Sequence, residues 1–193
     1  MSCTCKGCCG VEDAPVTRGP SHWFLTHTGK QFWPLDARVD EIDIEDIAHG
    51  LSHICRFGGH CRHFYSVAQH SVLVSRAVPL QLRMAGLLHD ATEAYIGDMV
   101  RPLKLQMPQF NEVEDKLWAV ISNKFSLPLV LPDEIKHADN AALMAERRDL
   151  FDASPFNWSI TEEPLSDRIW PMNPDDAKRF FLDEYFSLLC QKQ

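Results

Sequence analysis

The chain has 193 residues, of which 45% are hydrophobic and 24% charged, values typical of one globular domain with a sizeable core. Its net charge of −8 argues against non-specific binding to nucleic acid or to an acidic membrane, because both require a basic surface. It contains no apolar run long enough to span a bilayer and no apolar N-terminal signal, so we expect a cytoplasmic protein.

Cysteines are concentrated at the start of the chain, where four of the seven stand at Cys3, Cys5, Cys8 and Cys9. An odd total fits poorly with a disulfide framework. The cluster either binds a soft metal such as zinc or belongs to a flexible tail, and the adjacent pair Cys8-Cys9 does not suit the usual two-residue spacer of a zinc site. We therefore predict a flexible Cys-rich tail over residues 1–20 and a single domain over residues 21–193.

The first elements of the predicted domain are a short hairpin and two helices. Residues 22–35 alternate around a Thr28-Gly29 turn, which is typical of a β-hairpin. Asp43 and Ser66 are the predicted N-caps of the two helices that follow. The Gly58-Gly59 pair separates those helices.

Four further helices and one long loop complete the prediction. A helix carries positions 82–93 and ends before Gly97, an amphipathic helix covers 110–125, a third begins at Pro132-Asp133, and the last covers about 175–189. Residues 152–174 contain four prolines, and we expect an ordered loop whose aromatic residues, Trp158 and Trp170, are buried. The predicted fold is all-α with a short N-terminal hairpin.

Several polar residues fall on the apolar faces of these helices. His70, His89 and Asp139 lie on such faces, and Glu146 shares the face of Asp139. A single inward histidine is usually a hydrogen-bonded core residue, and an inward Asp139 can pair with an arginine such as Arg147 or Arg148. The carboxylates of Asp90 and Glu93 add negative charge beside His89, however, and such a concentration of charge is unstable without a cation. A bound divalent metal would supply that cation.

These residues carry a family resemblance. The order of His70, His89-Asp90 and Asp139 is similar to the H…HD…D signature of the HD-domain metal-dependent phosphohydrolases. Residues 89–104 resemble the H-D-A-[ST]-E-x-x-x-G-D-x-x-x-P-x-K stretch of the bacterial 5′-deoxynucleotidase branch, and residues 56–71 resemble its R-[FW]…V-x-[EQ]-H-S segment. The chain is also similar to phage-encoded HD enzymes that hydrolyse deoxynucleoside triphosphates, including the dATP-specific ones. The similarity runs from about Trp23 to Leu189 and implies an HD-domain helical bundle.

The resemblance implies a metal site and a group that activates water. The implied ligands of one divalent cation are His70, His89, Asp90 and Asp139, which suit manganese, cobalt, zinc, iron or magnesium. Such a metal lowers the pKa of bound water and polarises the phosphorus–oxygen bond. Glu93 would orient or deprotonate the attacking water; the alternative is an exposed carboxylate at a helix end.

The resemblance also implies substrate contacts. Arg56 and Lys104 would hold phosphate oxygens, with ordinary surface salt bridges as the alternative. Asp98 would bind the sugar hydroxyl or a metal-bound water, or would cap the next turn. Phe57 stands where the branch typically has tryptophan, and its ring would form an apolar wall against C2′ that disfavours ribose. Other candidates for phosphate or base contacts are His60, His63, Arg62, Arg76 and Arg101.

The resulting expectation is a phosphohydrolase in which water attacks a 5′-phosphate of a deoxynucleotide. The sequence leaves open whether the substrate is a monophosphate or a triphosphate. Two other functions stay open: an HD phosphodiesterase acting on cyclic nucleotides, and a non-catalytic regulatory module that binds nucleotide and metal. The expected partner is the small-molecule substrate, with neither nucleic acid nor membrane, and relatives imply a homo-oligomer.

Overall fold

The computed structural model describes residues 18–191, and the predicted tail with its four cysteines lies outside them except for its last three residues. A two-stranded antiparallel hairpin, β1 (Phe24–Leu25) and β2 (Gln31–Phe32), precedes the helices and pairs Phe24 with Phe32. The α-helices are α1 (Ile44–His53), α2 (Val67–Ala77), α3 (Arg83–Leu88), α4 (Glu93–Ile96), α5 (Arg101–Lys104), α6 (Pro108–Phe125), α7 (Asp133–Leu150) and α8 (Pro174–Cys190). The prediction of a mostly helical chain with a small hairpin is confirmed.

Helix α2 lies at the centre of the fold and packs against α1, α3, α7 and α8. It is buried on nearly every side, which for a helix of a globular protein means that neighbours surround it. Ser66 caps α2 by accepting a hydrogen bond from Gln69 N, and Asp43 caps α1 by accepting one from Glu45 N, as predicted. His70, in the middle of α2, is therefore fixed inside the protein.

The predicted helix over positions 82–93 is wrong in one respect, because a turn at residues 89–92 divides it into α3 and α4. In this turn Ala91 N bonds to Leu88 O and Glu93 N bonds to Asp90 O, so the backbone closes tighter rings than an α-helix does. The Nδ1 atom of His89 lies 2.8 Å from Gly86 O, so the imidazole occupies a carbonyl that a continuing helix would use. The side chain itself thus interrupts the helix at the candidate site.

Gly50 allows α1 and α4 to approach closely. A Cβ atom at this position would lie 2.7 Å from Ala94 O and 3.0 Å from Ala94 Cα, which is too close for any side chain. The close approach fixes the position of α4, whose first residue is Glu93.

Residues 151–173 form the predicted loop without regular structure. Trp158 is half-buried and contacts the rings of Phe57 and Phe151. The expectation that Trp170 is buried is wrong, because its side chain lies on the surface beside Arg168 and the residue is 71% exposed. The loop is instead held to α2 through the backbone, where Gln69 binds Trp170 O and Met172 N. None of the helices in residues 18–191 combines the length and apolar composition needed to cross a membrane.

Candidate metal centre

Three elements bring two histidines and two aspartates to one point. His70 comes from α2, His89 and Asp90 from the turn after α3, and Asp139 from α7. Nε2 of His70 lies 3.3 Å from Oδ1 of Asp139 and 3.6 Å from Oδ2 of Asp90, and Nε2 of His89 lies 3.2 Å from the same Oδ2. Even without Asp90, the ligand atoms of His70, His89 and Asp139 lie close enough together to hold a metal ion.

The orientation of both imidazoles supports this use. Nδ1 of His89 donates to Gly86 O, and Nδ1 of His70 lies 2.6 Å from Oε1 of Glu146, so each Nδ1 is engaged by an acceptor. Both Nε2 atoms are buried and have no hydrogen-bond partner of acceptable geometry among the described residues. In a neutral imidazole whose Nδ1 carries the proton, Nε2 presents a lone pair. Each Nε2 atom can therefore bind a cation when it does not carry a proton.

The separations also suit a common ligand sphere. Nitrogen and oxygen ligands about 2.0–2.2 Å from one metal lie roughly 3–3.6 Å from each other at tetrahedral or octahedral angles. Three distances, between His70 and Asp139, His70 and Asp90, and His89 and Asp90, are 3.2–3.6 Å and agree with this range. The ligand atoms of His70, His89 and Asp139 all lie within 4.8 Å of one another. Imidazole and carboxylate ligands fit the metals expected from the sequence and do not select one of them.

Burial and charge together set the pKa values of the cluster. Burial and Arg56 act to lower the pKa of His70, but Glu146 and Asp139 outweigh them and raise it to about 9. Burial would raise the pKa of Asp90, yet His89, His70 and Arg56 hold it well below its ordinary value. Asp139 likewise has a lowered pKa, because His70 and His89 outweigh its burial. The carboxylates thus favour a protonated His70, and a metal at its Nε2 would replace that proton.

Glu146 is a central residue of the site to which the sequence analysis assigned no function. Its side chain is completely buried, and Oε1 accepts from Tyr65 OH at 2.9 Å as well as facing His70. Oε2 lies 3.4 Å from Nη2 of Arg56. Burial would raise the pKa of Glu146, but Arg56 and His70 lower it below its ordinary value, so the carboxylate is charged. Glu146 fixes the tautomer and the direction of the His70 ring.

Arg56 is an internal counter-charge in this structure. Its side chain is only 11% exposed, and its guanidinium lies 3.4 Å from both Glu146 and Asp90. Phe57, the next residue, has a left-handed backbone with φ of 57°, which is uncommon for a residue with a bulky side chain. The ring of Phe57 packs edge-on against Phe151 at 5.0 Å between centroids. The long loop thereby holds the Arg56 segment in place.

Two further carboxyl groups follow the ligand pair, the buried Glu93 and the half-buried Asp98. Burial, and after it the charges of Asp90 and Asp98, raise the pKa of Glu93 well above its ordinary value. Its Oε2 atom is buried without a hydrogen-bond partner among the described residues. Burial and Asp90 also raise the pKa of Asp98, although Arg56 and His70 oppose them. A raised pKa makes each of these carboxyl groups a stronger proton acceptor in its ionised form.

A cleft of about 400 Å³ opens at the ligands and extends to α6 and α7. His89, Asp90 and Asp139 line it, and so do Lys104 and Lys136. Lys104 Nζ forms an ion pair with Glu114 at 2.5 Å, and Lys136 Nζ lies 2.6 Å from Oδ2 of Asp139. Lys136 is a cation that the sequence analysis did not select, although it stands one turn before Asp139 on the same helix.

Most of the other sequence candidates lie away from the cleft. His60 and His63 are exposed in the segment after Arg56. Arg62 pairs with Asp152, and Arg76 pairs with Glu184 and stacks on Phe180. Arg101 is exposed at the start of α5 and does not line the cleft.

Comparison of the sequence with known proteins assigns the chain to a family. No protein-family model matches the chain. Over 167 residues it is 43% identical to the uncharacterized protein YfdR of Escherichia coli K12, and the match covers 84% of this chain and 93% of YfdR. The chain belongs to the YfdR family. An uncharacterized protein of Rhodobacter capsulatus is 42% identical over 130 residues, which are 62% of this chain and 66% of that protein.

The signal for Glu146 was present in this YfdR-family sequence. Glu146 follows Asp139 by seven residues, two helical turns, and so shares its inward face. The spacing does not reveal which residues bind Glu146. Its partners are Tyr65, just before α2, and His70, on α2, and only packing of α7 against α2 brings them to Glu146.

Proposed function

We propose that the chain is an HD-domain metal-dependent phosphohydrolase that acts on deoxynucleotides. The observation that carries the proposal is the convergence of two unpartnered imidazole Nε2 atoms with carboxylate oxygens of Asp90 and Asp139. A buried set of this kind, open to a cleft, suits a divalent cation and a small anionic ligand. The sequence resemblance to HD-domain phosphohydrolases supplies the reaction class.

In this proposal His70, His89, Asp90 and Asp139 hold the cation. When bound, a divalent cation supplies a Lewis acid for a phosphoryl group and acidifies water. Glu146 keeps the imidazole of His70 directed at the ligand position by accepting from Nδ1. The carbonyl of Gly86 does the same for His89.

Glu93 acts as the general base. Its side chain is buried beside the ligand pair, and burial together with the charges of Asp90 and Asp98 raises its pKa, so that the ionised carboxylate is a stronger proton acceptor than an exposed one. Attack by water on the 5′-phosphate transfers one proton to the carboxylate, and the phosphorus–oxygen bond to the sugar or to the next phosphate breaks. Asp98 lies close enough to raise the pKa of Glu93, and in this proposal it would contact the same water or the sugar.

Charge around the cleft supports an anionic substrate. Lys104 and Lys136 line it, and in this proposal they would offset the charge of a phosphate bound at the ligands. Arg56 contributes from inside by balancing Glu146 and Asp90. Phe57 is the residue that the resemblance associates with a preference for deoxyribose, and its ring packs against Phe151 and Trp158.

The test uses purified full-length protein and makes two measurements. Metal content is measured by elemental analysis, and phosphate release is measured with manganese or cobalt on 5′-deoxynucleoside mono- and triphosphates, matched ribonucleotides and cyclic nucleotides. The proposal expects bound metal and release from deoxynucleotides. Cleavage of cyclic nucleotides alone would assign the phosphodiesterase reaction instead. A metal-loaded protein that binds nucleotide without cleaving any of them would contradict the proposal and favour a regulatory module.

A further inference from the structure

The cleft continues past the metal ligands onto a surface of different chemistry. Beyond His89, Asp90 and Asp139, its walls come from α5, α6, α7 and the segment between α6 and α7. The apolar members of this wall are Trp118, Leu129, Leu131, Pro132 and Ile135. The volume of about 400 Å³ falls within the range of small-molecule sites. A ligand whose phosphate lies at the metal ligands would therefore meet an apolar surface with the rest of its structure.

Trp118 offers this surface a fixed aromatic face. Its Nε1 donates to Leu129 O at 2.9 Å, which anchors the indole to the segment before α7. Because this bond uses the donor of the indole, the ring has only its face and edge left for a ligand. Leu129 is 63% exposed beside it, which leaves an apolar side chain uncovered in the cleft. A fixed indole of this kind stacks on a flat ring.

Two carboxylates stand near the indole on α6. Glu114 precedes Trp118 by one helical turn, and Asp115 precedes it by three residues, so all three share one side of the helix. Glu114 is engaged by Lys104. Asp115 is exposed, lines the cleft and forms no ion pair or hydrogen bond among the described residues. Its ionised oxygens accept hydrogen bonds and donate none.

The geometry points to a nucleobase seat on α6, in which the base stacks on Trp118 and an exocyclic amino group donates to Asp115. This inference rests on the proposed function, because the phosphate bound at the metal ligands directs the base toward α6. It names the substrate class more closely: nucleotides whose base carries an amino group, adenine, guanine or cytosine. Thymine places oxo groups on both sides of its single N–H, and these would face the carboxylate of Asp115.

Truncation of the indole tests the stacking. Trp118→Ala is compared with wild type on dAMP and on 2-deoxyribose 5-phosphate, which has the phosphate and sugar but no base. Base stacking on an aromatic side chain predicts a loss of about tenfold or more in kcat/KM for dAMP, through KM, and no change for the sugar phosphate. Trp118→Phe, which keeps an aromatic face but loses the anchor to Leu129, should retain most of the activity on dAMP.

Trp170→Ala is the matched control. Trp170 is a tryptophan on the surface outside the cleft, so its removal should leave both substrates unaffected. If Trp118→Ala and Trp170→Ala behave alike on dAMP, the seat is wrong. A parallel loss on dAMP and on 2-deoxyribose 5-phosphate in Trp118→Ala would also overturn it, because that pattern indicates general damage to the site.

Asp115→Asn tests recognition of the amino group. Wild type should hydrolyse dAMP, dGMP and dCMP with a higher kcat/KM than dTMP. In the variant the ratio of these kcat/KM values should fall toward one, since an amide can also donate to the oxo groups of thymine. Equal rates for all four monophosphates in wild type would exclude a role for Asp115 in base choice.

A binding measurement separates this inference from the proposed function. Deoxyadenosine has no phosphate to cleave, and its contact with the protein is followed by saturation-transfer NMR on the base protons. Transfer in wild type that disappears in Trp118→Ala supports the seat even if no phosphate ester is hydrolysed. Hydrolysis of deoxynucleotides with no transfer that depends on Trp118 would leave the proposed function intact and refute the seat.

Discussion

Replacing Glu146 with glutamine removes a negative charge that three buried groups share. Oε1 of Glu146 lies 2.6 Å from Nδ1 of His70 and accepts from Tyr65 OH, while Oε2 faces Arg56 at 3.4 Å. Glutamine preserves the volume, and its carbonyl oxygen can still accept one of these bonds. The change therefore tests the charge of the network more than its packing.

The expected effect is on metal affinity. Removing a hydrogen-bond partner of a metal-ligating histidine typically weakens metal binding about 10- to 100-fold. This corresponds to roughly 1.4–2.7 kcal/mol of binding free energy. The loss arises because His70 becomes a weaker ligand and because Arg56, without Glu146, draws more strongly on Asp90. Glu146→Ala would in addition leave buried donors unpaired, with a cost of about 3–5 kcal/mol in folding free energy.

Calorimetric titration of manganese or cobalt into metal-free protein measures the metal affinity. Thermal unfolding in the presence of a chelator measures the melting temperature of the metal-free fold separately. Glu184→Gln is the matched control, since Glu184 is a buried glutamate on α8 that pairs with Arg76 and accepts from Ser75, away from the centre. It should lower stability without changing metal affinity. If Glu146→Gln binds metal as tightly as wild type does, Glu146 does not act through His70 and the reasoning is refuted.

Three other substitutions have separable outcomes. Asp90→Ala should abolish both bound metal and turnover, as elemental analysis and a phosphate assay would show, because Oδ2 of Asp90 lies between the two histidines; retained metal would remove Asp90 from the ligand set. Glu93→Gln should retain metal but lose about 10²- to 10⁴-fold in turnover if the carboxylate is the general base, and a near-normal rate would contradict that role. Gly50→Ala should lower the melting temperature by several degrees, since its Cβ would lie 2.7 Å from Ala94 O and overpacking costs about 1–3 kcal/mol; an unchanged melting curve would show that α4 can shift freely.

The predictable part of the site was the part that local spacing determines. Helical periodicity placed His70 and Asp139 inward, and both are found at the centre of the cluster. The same periodicity predicted one continuous helix through His89. It contains no information about the contact between the imidazole of His89 and the backbone of its own helix. The pairing of Lys136 with Asp139 is local and could have been found from their spacing of three residues.

Contacts between distant elements could not be predicted in this way. Trp158 lies about a hundred residues after Phe57 in the chain, and their packing depends on where residues 151–173 return to the fold. The expectation that Trp170 is buried failed because hydrophobicity alone does not determine which face of a loop is covered. The hydrogen bond from Trp118 to Leu129 could not be predicted either, because it depends on the segment after α6 turning back along that helix.

The position of Arg56 changes the expected division of charge at the site. The resemblance gives Arg56 a phosphate-binding role, yet its guanidinium is buried between Glu146 and Asp90 and does not line the cleft. Moving such a cation to a substrate would leave the completely buried carboxylate of Glu146 without its guanidinium partner, which is strongly unfavourable. Arg56 lies close enough to Glu146 and Asp90 to lower the pKa of both carboxyl groups, which favours their ionised forms. Among the described residues that line the cleft, the lysines are Lys104 and Lys136, and each is already paired with a carboxylate that it would have to share with a phosphate.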